Sequence, residues 1–405
     1  MSVNPELIKS NVSIKPDYRV LVLLSLGHLA ADINQGALPV ILPRLFTEYG
    51  LSYTLAATIM MVFNFSSSII QPVFGWYSDR KTALWLLPGG VLLASLGMAL
   101  MGFAGNLGLI LLLVLLSGIG VASYHPEGSK AAHFASGTAK ASAMSIFSVG
   151  GNLGYGLGAA IMAAFLAVGG VKGTVYLLIP GIIVAGLLWH YLPYIPSAPR
   201  GSGAAKGGAP ESSGSQVYWK PLILLCIIVV LRSFIQTGLT TFIPLYLVTY
   251  LGASESYGST LISVFLLSGA VGTVLGGPLA DRMGKTKLIA WSMGLMPPLI
   301  LLFLFAPPWL SVIALSLTGG VLISTFSSTI VLGQSFMPNA VGIASGLMLG
   351  FAIGTGGLGA VLLGLVADHL GIDVTMLTIA FLPAVGLLLS LIFAKVQRKY
   401  VGVVS

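Results

Sequence analysis

Gly75-Trp-Tyr-Ser-Asp79-Arg80 and Gly277-Pro-Leu-Ala-Asp281-Arg282 share the pattern Gly-x-x-x-Asp-Arg, 202 residues apart in one chain. Each closes a long apolar stretch, so a charged turn follows a segment of membrane-spanning length. Other stretches repeat at nearly the same offset. Pro43-Arg-Leu-Phe-Thr-Glu-Tyr49 is echoed by Pro244-Leu-Tyr-Leu-Val-Thr-Tyr250 at 201, and Phe147-Ser-Val-Gly150-Gly151 by Phe351-Ala-Ile-Gly354-Thr355 at 204. Such matches predict a duplicated unit: two parallel halves around an axis along the membrane normal.

Composition supports the membrane reading. Of 405 residues, 56% are apolar and 7% charged, where a soluble domain carries about a quarter charged. So much apolar surface excludes an ordinary cytosolic enzyme, a nucleic-acid binder and a disordered chain. The single cysteine, Cys226, excludes a disulfide framework or a cysteine-based metal site.

A span needs about 20 mostly apolar residues to cross the hydrocarbon. Twelve intervals qualify: 20–43, 53–77, 82–104, 107–134, 141–168, 174–194, 220–250, 257–280, 286–306, 308–336, 340–369 and 374–396. They predict an all-α integral membrane protein with a six-helix half over 1–194 and another over 220–405. Between them, 195–219 is rich in Pro, Gly, Ser and Ala, the composition of a flexible linker. The polar start, followed by a full span carrying His28 and Asp32, does not fit a cleaved signal.

With both termini in the cytoplasm, 15 of the 19 basic residues fall in inside segments and only Arg44 and Lys172 in outside loops. This asymmetry predicts a cytoplasmic linker and cytoplasmic ends. The net charge of +8 then reflects topology and attraction to anionic lipid, not nucleic acid.

Ionisable groups at bilayer depth cost several kcal/mol and mark function by default. In span 1, His28 and Asp32 stand at i and i+4, with Gln35 near one turn further. This polar stripe reads as facing a water-filled cavity or as interhelical hydrogen bonding. At the repeat offset, Gln35 maps onto Gln236, and Asp32 falls one position from Arg232. Arg232 is a candidate anion ligand through its planar fork of donors; a permanent Asp32–Arg232 pair, or snorkelling to an interface, is the alternative. Span 4 carries Tyr124-His125-Pro126-Glu127 and Lys130. His125 and Glu127 are candidate proton carriers or parts of a kink pinned by polar contacts; at i and i+2 they need not share a pocket. Span 5 is dense in glycine from Gly150 to Gly158, without a proline among them. The segments at Asp368 and His369 lie near a span end and suggest no role.

The Gly-x-x-x-Asp-Arg loops resemble those of the major facilitator superfamily. The resemblance implies that Gly75 and Gly277 let helices approach, while Asp79, Arg80, Asp281 and Arg282 latch helix ends. After Arg80 the first copy departs to Lys81-Thr82-Ala83, which implies a weaker latch. Within the superfamily, Ser25-Leu-Gly-His28-Leu-Ala-Ala-Asp32, Tyr124-His125-Pro126-Glu127, Ser145 to Asn152, Phe351 to Gly359 and Gly364-Leu-Val-Ala-Asp368-His369 resemble the bacterial fosmidomycin resistance protein family. That resemblance implies export of fosmidomycin, a small phosphonate, against inward proton flow. The expectation is therefore a proton-coupled antiporter in a bacterial inner membrane, monomeric and without cofactor or metal. Asp32, His28, His125 and Glu127 handle the proton; Arg232, Gln35 and Gln236 hold a small anion. Proton symport importing an organic anion is the alternative. A sensor built on this fold fits less well, because it needs no acid and base at matching depth. No nucleophile–base pair suggests an enzyme.

Overall fold

The computed structural model describes residues 16–81, 83–137, 140–196, 217–337, 344, 347–351 and 354–398, with the backbone alone of residues 79, 140–143, 349 and 351. Residues 197–216 of the expected linker and the side chain of Asp79 lie outside the described residues. All regular structure among the described residues is helical.

The chain begins with α1 (Tyr18–Glu48). The second interval is broken into α2 (Tyr53–Asn64), a π-helical turn at Phe65–Ile69 and α3 (Gln71–Arg80). Then come α4 (Leu86–Met101), α5 (Leu107–Ala135), α6 (Lys140–Gly169) and α7 (Leu178–Tyr191). Past the linker, α8 (Trp219–Leu245) runs into a π turn at Tyr246–Tyr250, followed by α9 (Glu255–Met283) and α10 (Lys285–Phe305). The tenth interval holds α11 (Pro308–Ile323) and α12 (Phe326–Phe336); α13 (Gly356–Leu370) and α14 (Ile372–Arg398) complete the chain. Helix occupies every one of the twelve intervals read from the sequence.

The duplication extends to the turns. Gly50 and Gly252, 202 residues apart, have φ of +57° and +66°, a region that costs glycine nothing. Two residues after each, a serine caps the next helix: Ser52 Oγ accepts from Leu55 N and Ser254 Oγ from Tyr257 N, both at 3.2 Å.

Glycine decides how closely these helices approach. A Cβ at Gly150, Gly154 or Gly158 of α6 would collide with the carbonyl oxygen of Ser25, Leu29 or Ile33 in turn. The four-residue period is one face of α6, laid along α1. Where lipid removes the hydrophobic drive between helices, such small faces supply close van der Waals packing. The outer surface is correspondingly apolar, with Leu92, Ile182, Ile183, Leu388 and Ile392 exposed.

Core packing differs between the two ends of the bundle. We call the end where α1 and α8 start the linker end, and the end with the Gly50 and Gly252 turns the far end. The main core draws on both halves toward the far end, joining Leu38, Ile41 and Phe63 to Phe242, Phe265 and Ile379. Two smaller cores occupy the linker end. One gathers Leu21, Leu24, Val91 and Tyr124 from before the linker; the other gathers Leu225, Ile228, Phe336 and Phe393 from after it. The halves thus share one core at the far end and keep separate cores at the linker end.

Candidate functional site

His28 and Asp32, one turn apart on α1, come within 3.3 Å through Nε2 and Oδ2. From α5, His125 Nε2 reaches the other carboxylate oxygen at 3.0 Å. A third helix closes the group: the Phe147 carbonyl of α6 lies 2.8 Å from His28 Nδ1, and the Phe147 ring stacks on the imidazole at 4.2 Å. Gly151, one turn along α6, completes the fit, because a Cβ there would strike His28 Nε2 and come within 2.8 Å of Asp32 Oδ2. Asp32 is buried, and the two histidine side chains are 14% and 20% exposed. The group is therefore shielded yet reachable.

Proton positions follow from the partners. A carbonyl can only accept, so His28 Nδ1 carries a proton toward Phe147. Gln71 Nε2 donates to Ser67 O at 2.6 Å and faces His125 Nδ1 at 3.2 Å. His125 Nδ1 is then the acceptor, and its proton sits on Nε2, pointing at Asp32. The remaining contact, His28 Nε2 to Asp32, is attractive only when one further proton lies between them, on the imidazole or on the carboxylate; otherwise two lone pairs face each other. One more proton therefore decides whether α1 and α5 jointly hold the carboxylate. Two imidazoles and a carboxylate within 4.8 Å are also a composition that ligates divalent metals; with a further proton between His28 and Asp32 the three donors satisfy one another instead.

Glu127 does not join this group. It is buried, 2% exposed, and accepts a short hydrogen bond from the Ser78 hydroxyl of α3. Lys130 Nζ donates to the Ser78 carbonyl at 2.5 Å, so Ser78 links the two charged side chains. The i, i+2 spacing turns His125 and Glu127 to different neighbours, and Glu127 belongs to the junction of α3 and α5 near the linker end. Gln35 is half-buried and has no hydrogen bond among the described residues.

Arg232 of α8 is 1% exposed. Its Nη1 stands 3.5 Å from Gln236 Oε1, at the outer limit of a hydrogen bond, and the guanidinium lies 5.6 Å over the Phe326 ring. Among the described residues its Nε has no hydrogen-bond partner, and neither has the hydroxyl of the adjacent Ser233. Arg232 forms no ion pair with Asp32, whose two oxygens both go to histidines, and its burial rules out snorkelling. A buried guanidinium with an unsatisfied N–H is costly, by about 1–3 kcal/mol for each lost donor, and an anion would supply what it lacks.

The glycines of the Gly-x-x-x-Asp-Arg loops have open space around them among the described residues. A Cβ at Gly277 would meet nothing within 4 Å, and at Gly75 only Pro126 at 3.7 Å. Arg80 is exposed and stacks on its own helix neighbour Trp76, while Asp281 and Arg282 are exposed and have no partner among the described residues. The bridges between halves lie instead at the far end. Arg44 pairs with Glu255 at 2.7 Å, and the Asp368 carboxylate accepts from Tyr53 N at 2.7 Å and Thr54 N at 3.0 Å. Residue type and spacing assign no role to Asp368, Gln71 or the Phe147 carbonyl. The last two act through orientation and backbone, which residue type does not reveal.

Twelve helical intervals in two related halves, with an acid and a base on pseudo-equivalent helices, are the architecture of a secondary transporter. The chain belongs to the Major Facilitator Superfamily, whose family profile matches residues 24–349 and 225–403. It is a multi-pass membrane transporter, not an enzyme. Among curated proteins it is similar to the uncharacterized MFS-type transporter YfnC of Bacillus subtilis (strain 168), at 36% identity over 92% of each chain. It is 32% identical, over 94% of each chain, to the fosmidomycin resistance protein of Escherichia coli (strain K12). Among solved structures, the nucleoside transporter NupG superposes with a TM-score of 0.76, at 14% identity, covering 93% of this chain and 99% of that one. At that identity the likeness concerns the fold alone.

Proposed function

We propose that this transporter exports a small phosphonate-like anion in exchange for inward-moving protons, by alternating access between its halves, 1–194 and 220–405. The observation that carries the reading is the His28–Asp32–His125 group, in which one contact exists only when an extra proton is present. Loading and unloading that proton changes the charge of the group through which α1 holds α5, by His125, and α6, by the Phe147 carbonyl, which links protonation to helix movement. Glu127, bridged to Lys130 through Ser78, serves as a second protonatable site on the path toward the linker end.

Arg232 receives the anion, with Gln236 and Gln35 orienting it. The E. coli relative's name, fosmidomycin resistance protein, supports fosmidomycin itself as a substrate. Basic-residue asymmetry supports placing the linker and both termini in the cytoplasm of a bacterial inner membrane. The far end then faces outward, and the separate cores of the linker end correspond to a state opening to the cytoplasm. A monomer contains the complete set of site residues.

The test is fosmidomycin-dependent proton movement in proteoliposomes carrying a pH-sensitive dye, with Asp32→Asn as control. Flux that requires the phosphonate and vanishes in the variant is the expected result. Absence of flux from inserted, folded protein would overturn the assignment, and proton-linked inward accumulation of the compound would replace antiport by symport.

A further inference from the structure

Gly364-Leu-Val-Ala-Asp368 in α13 has the same Gly-x-x-x-Asp spacing as Gly75 to Asp79 and Gly277 to Asp281, yet it lies at the opposite end of the bundle. There it is fully engaged. The Asp368 oxygens accept from the backbone amides of Tyr53 and Thr54, at the start of α2 in the other half, at 2.7 and 3.0 Å. These are first-turn amides, which no intrahelical carbonyl can satisfy, and the positive end of a helix favours a carboxylate. Gly364 sits one turn earlier on the same face. A Cβ there would come within 2.8 Å of Thr54 Cα and 3.0 Å of Thr54 N. Glycine brings α13 against the start of α2, and the aspartate four residues later holds it there.

We infer that Gly364 and Asp368 form a third latch of the Gly-x-x-x-Asp type, which closes the far end while the linker-end copy at Gly277 to Asp281 is released. Three observations converge on this reciprocity. The main core shared by the halves lies toward the far end, and the linker end has a separate core for each half. Gly277 contacts nothing that a Cβ would meet, and Asp281 has no partner among the described residues. At the far end, by contrast, a carboxylate from one half fills two donors of the other. Rocking the halves apart at the far end must withdraw Asp368 from α2 and hand its first-turn amides to water, leaving Ser52 as the only cap (its Oγ already accepts from Leu55 N at 3.2 Å). Arg44–Glu255 is a companion contact, an ion pair with side chains 41% and 36% exposed of a kind that is weak. Asp368 is exposed as well, and what sets it apart is that its two oxygens take two first-turn amides that have no intrahelical acceptor.

The test reads far-end separation directly and needs no substrate or proton gradient, so its failure is distinguishable from failure of the transport assignment. Spin labels are placed at Glu48→Cys and Leu251→Cys, exposed far-end positions in the two halves, on a Cys226→Ser background in lipid nanodiscs. The expected result is a single short distance in the parent and a several-fold rise in a longer-distance population with Asp368→Ala. Gly364→Val gives the same direction, and Glu255→Gln a smaller rise. Asp281→Ala leaves the distance distribution unchanged. An unaltered distribution in Asp368→Ala, or an equal lengthening in Asp281→Ala, would overturn the latch.

Discussion

Asp32 on α1 and Arg232 on α8 occupy positions one residue apart under the repeat, yet their surroundings are opposite. Asp32 has a histidine on each oxygen, one from its own helix and one from α5. Arg232 is more deeply buried and has a distant amide, an aromatic face and an N–H with no partner. Duplication supplied the same helix twice, and the two copies took different tasks. The first is a closed network that changes with one proton. The second is a cation whose hydrogen-bonding capacity is unfilled until something negative arrives. The proposed exchange would need such a division, because a proton and an anion must be handled by groups that do not simply neutralise each other.

The largest effect expected is at the closed network. Asp32→Asn leaves two histidines around a neutral amide and removes the only carboxylate among them. Breaking one partner of a buried charged group costs about 3–5 kcal/mol, so proton-linked transport is lost within the sensitivity of the dye assay. Comparing His28→Gln with His125→Gln sharpens the argument. If the second proton on His28 is the variable one, His28→Gln uncouples proton movement as fully as Asp32→Asn, whereas His125→Gln leaves residual coupling. Equal residual coupling in both would reverse the assignment of the mobile proton.

The open cation comes next. Hydrogen bonds to charged groups are worth about 1.5–3 kcal/mol, so Arg232→Ala is expected to weaken phosphonate binding by about 10- to 100-fold. Arg232→Lys recovers only part of it, since an ammonium cannot present the planar fork. Binding to purified protein, measured calorimetrically, checks both. Unchanged affinity in Arg232→Ala would show that the two copies do not divide the work in this way.

Much of this was legible in the sequence, and the exceptions share a cause. Apolar length exposed the twelve intervals in which helix is found, and i, i+4 placement on α1 exposed the His28–Asp32 pair. The approach of His125 to Asp32, 93 residues away in sequence, depends on how α5 crosses α1, which no local pattern encodes. Glu127, two residues from His125, reads by residue type as a proton carrier that need not share its pocket, and its partner is the Ser78 hydroxyl of α3. Asp368 does not stand out in the sequence, because a carboxylate near a span end is common and its partners are backbone amides, which look alike at every position.

The smallest effects expected separate glycines that only look alike in sequence. Gly151 packs against His28 and Asp32, whereas a Cβ at Gly277 would meet nothing within 4 Å. Gly151→Ala forces its methyl into the charged group, and overpacking of this kind costs about 1–3 kcal/mol. The variant is expected to unfold at lower temperature in detergent and to transport more slowly. Gly277→Ala, at an open helical position, gains about 0.5–1 kcal/mol of helix propensity and is expected to leave thermal stability unchanged or slightly raised. Because neither substitution adds charge, the pair isolates packing from electrostatics. A loss at Gly277→Ala as large as at Gly151→Ala would mean that the linker-end loop is closed in the working protein, and that the contrast between the two ends of the bundle belongs to one state only.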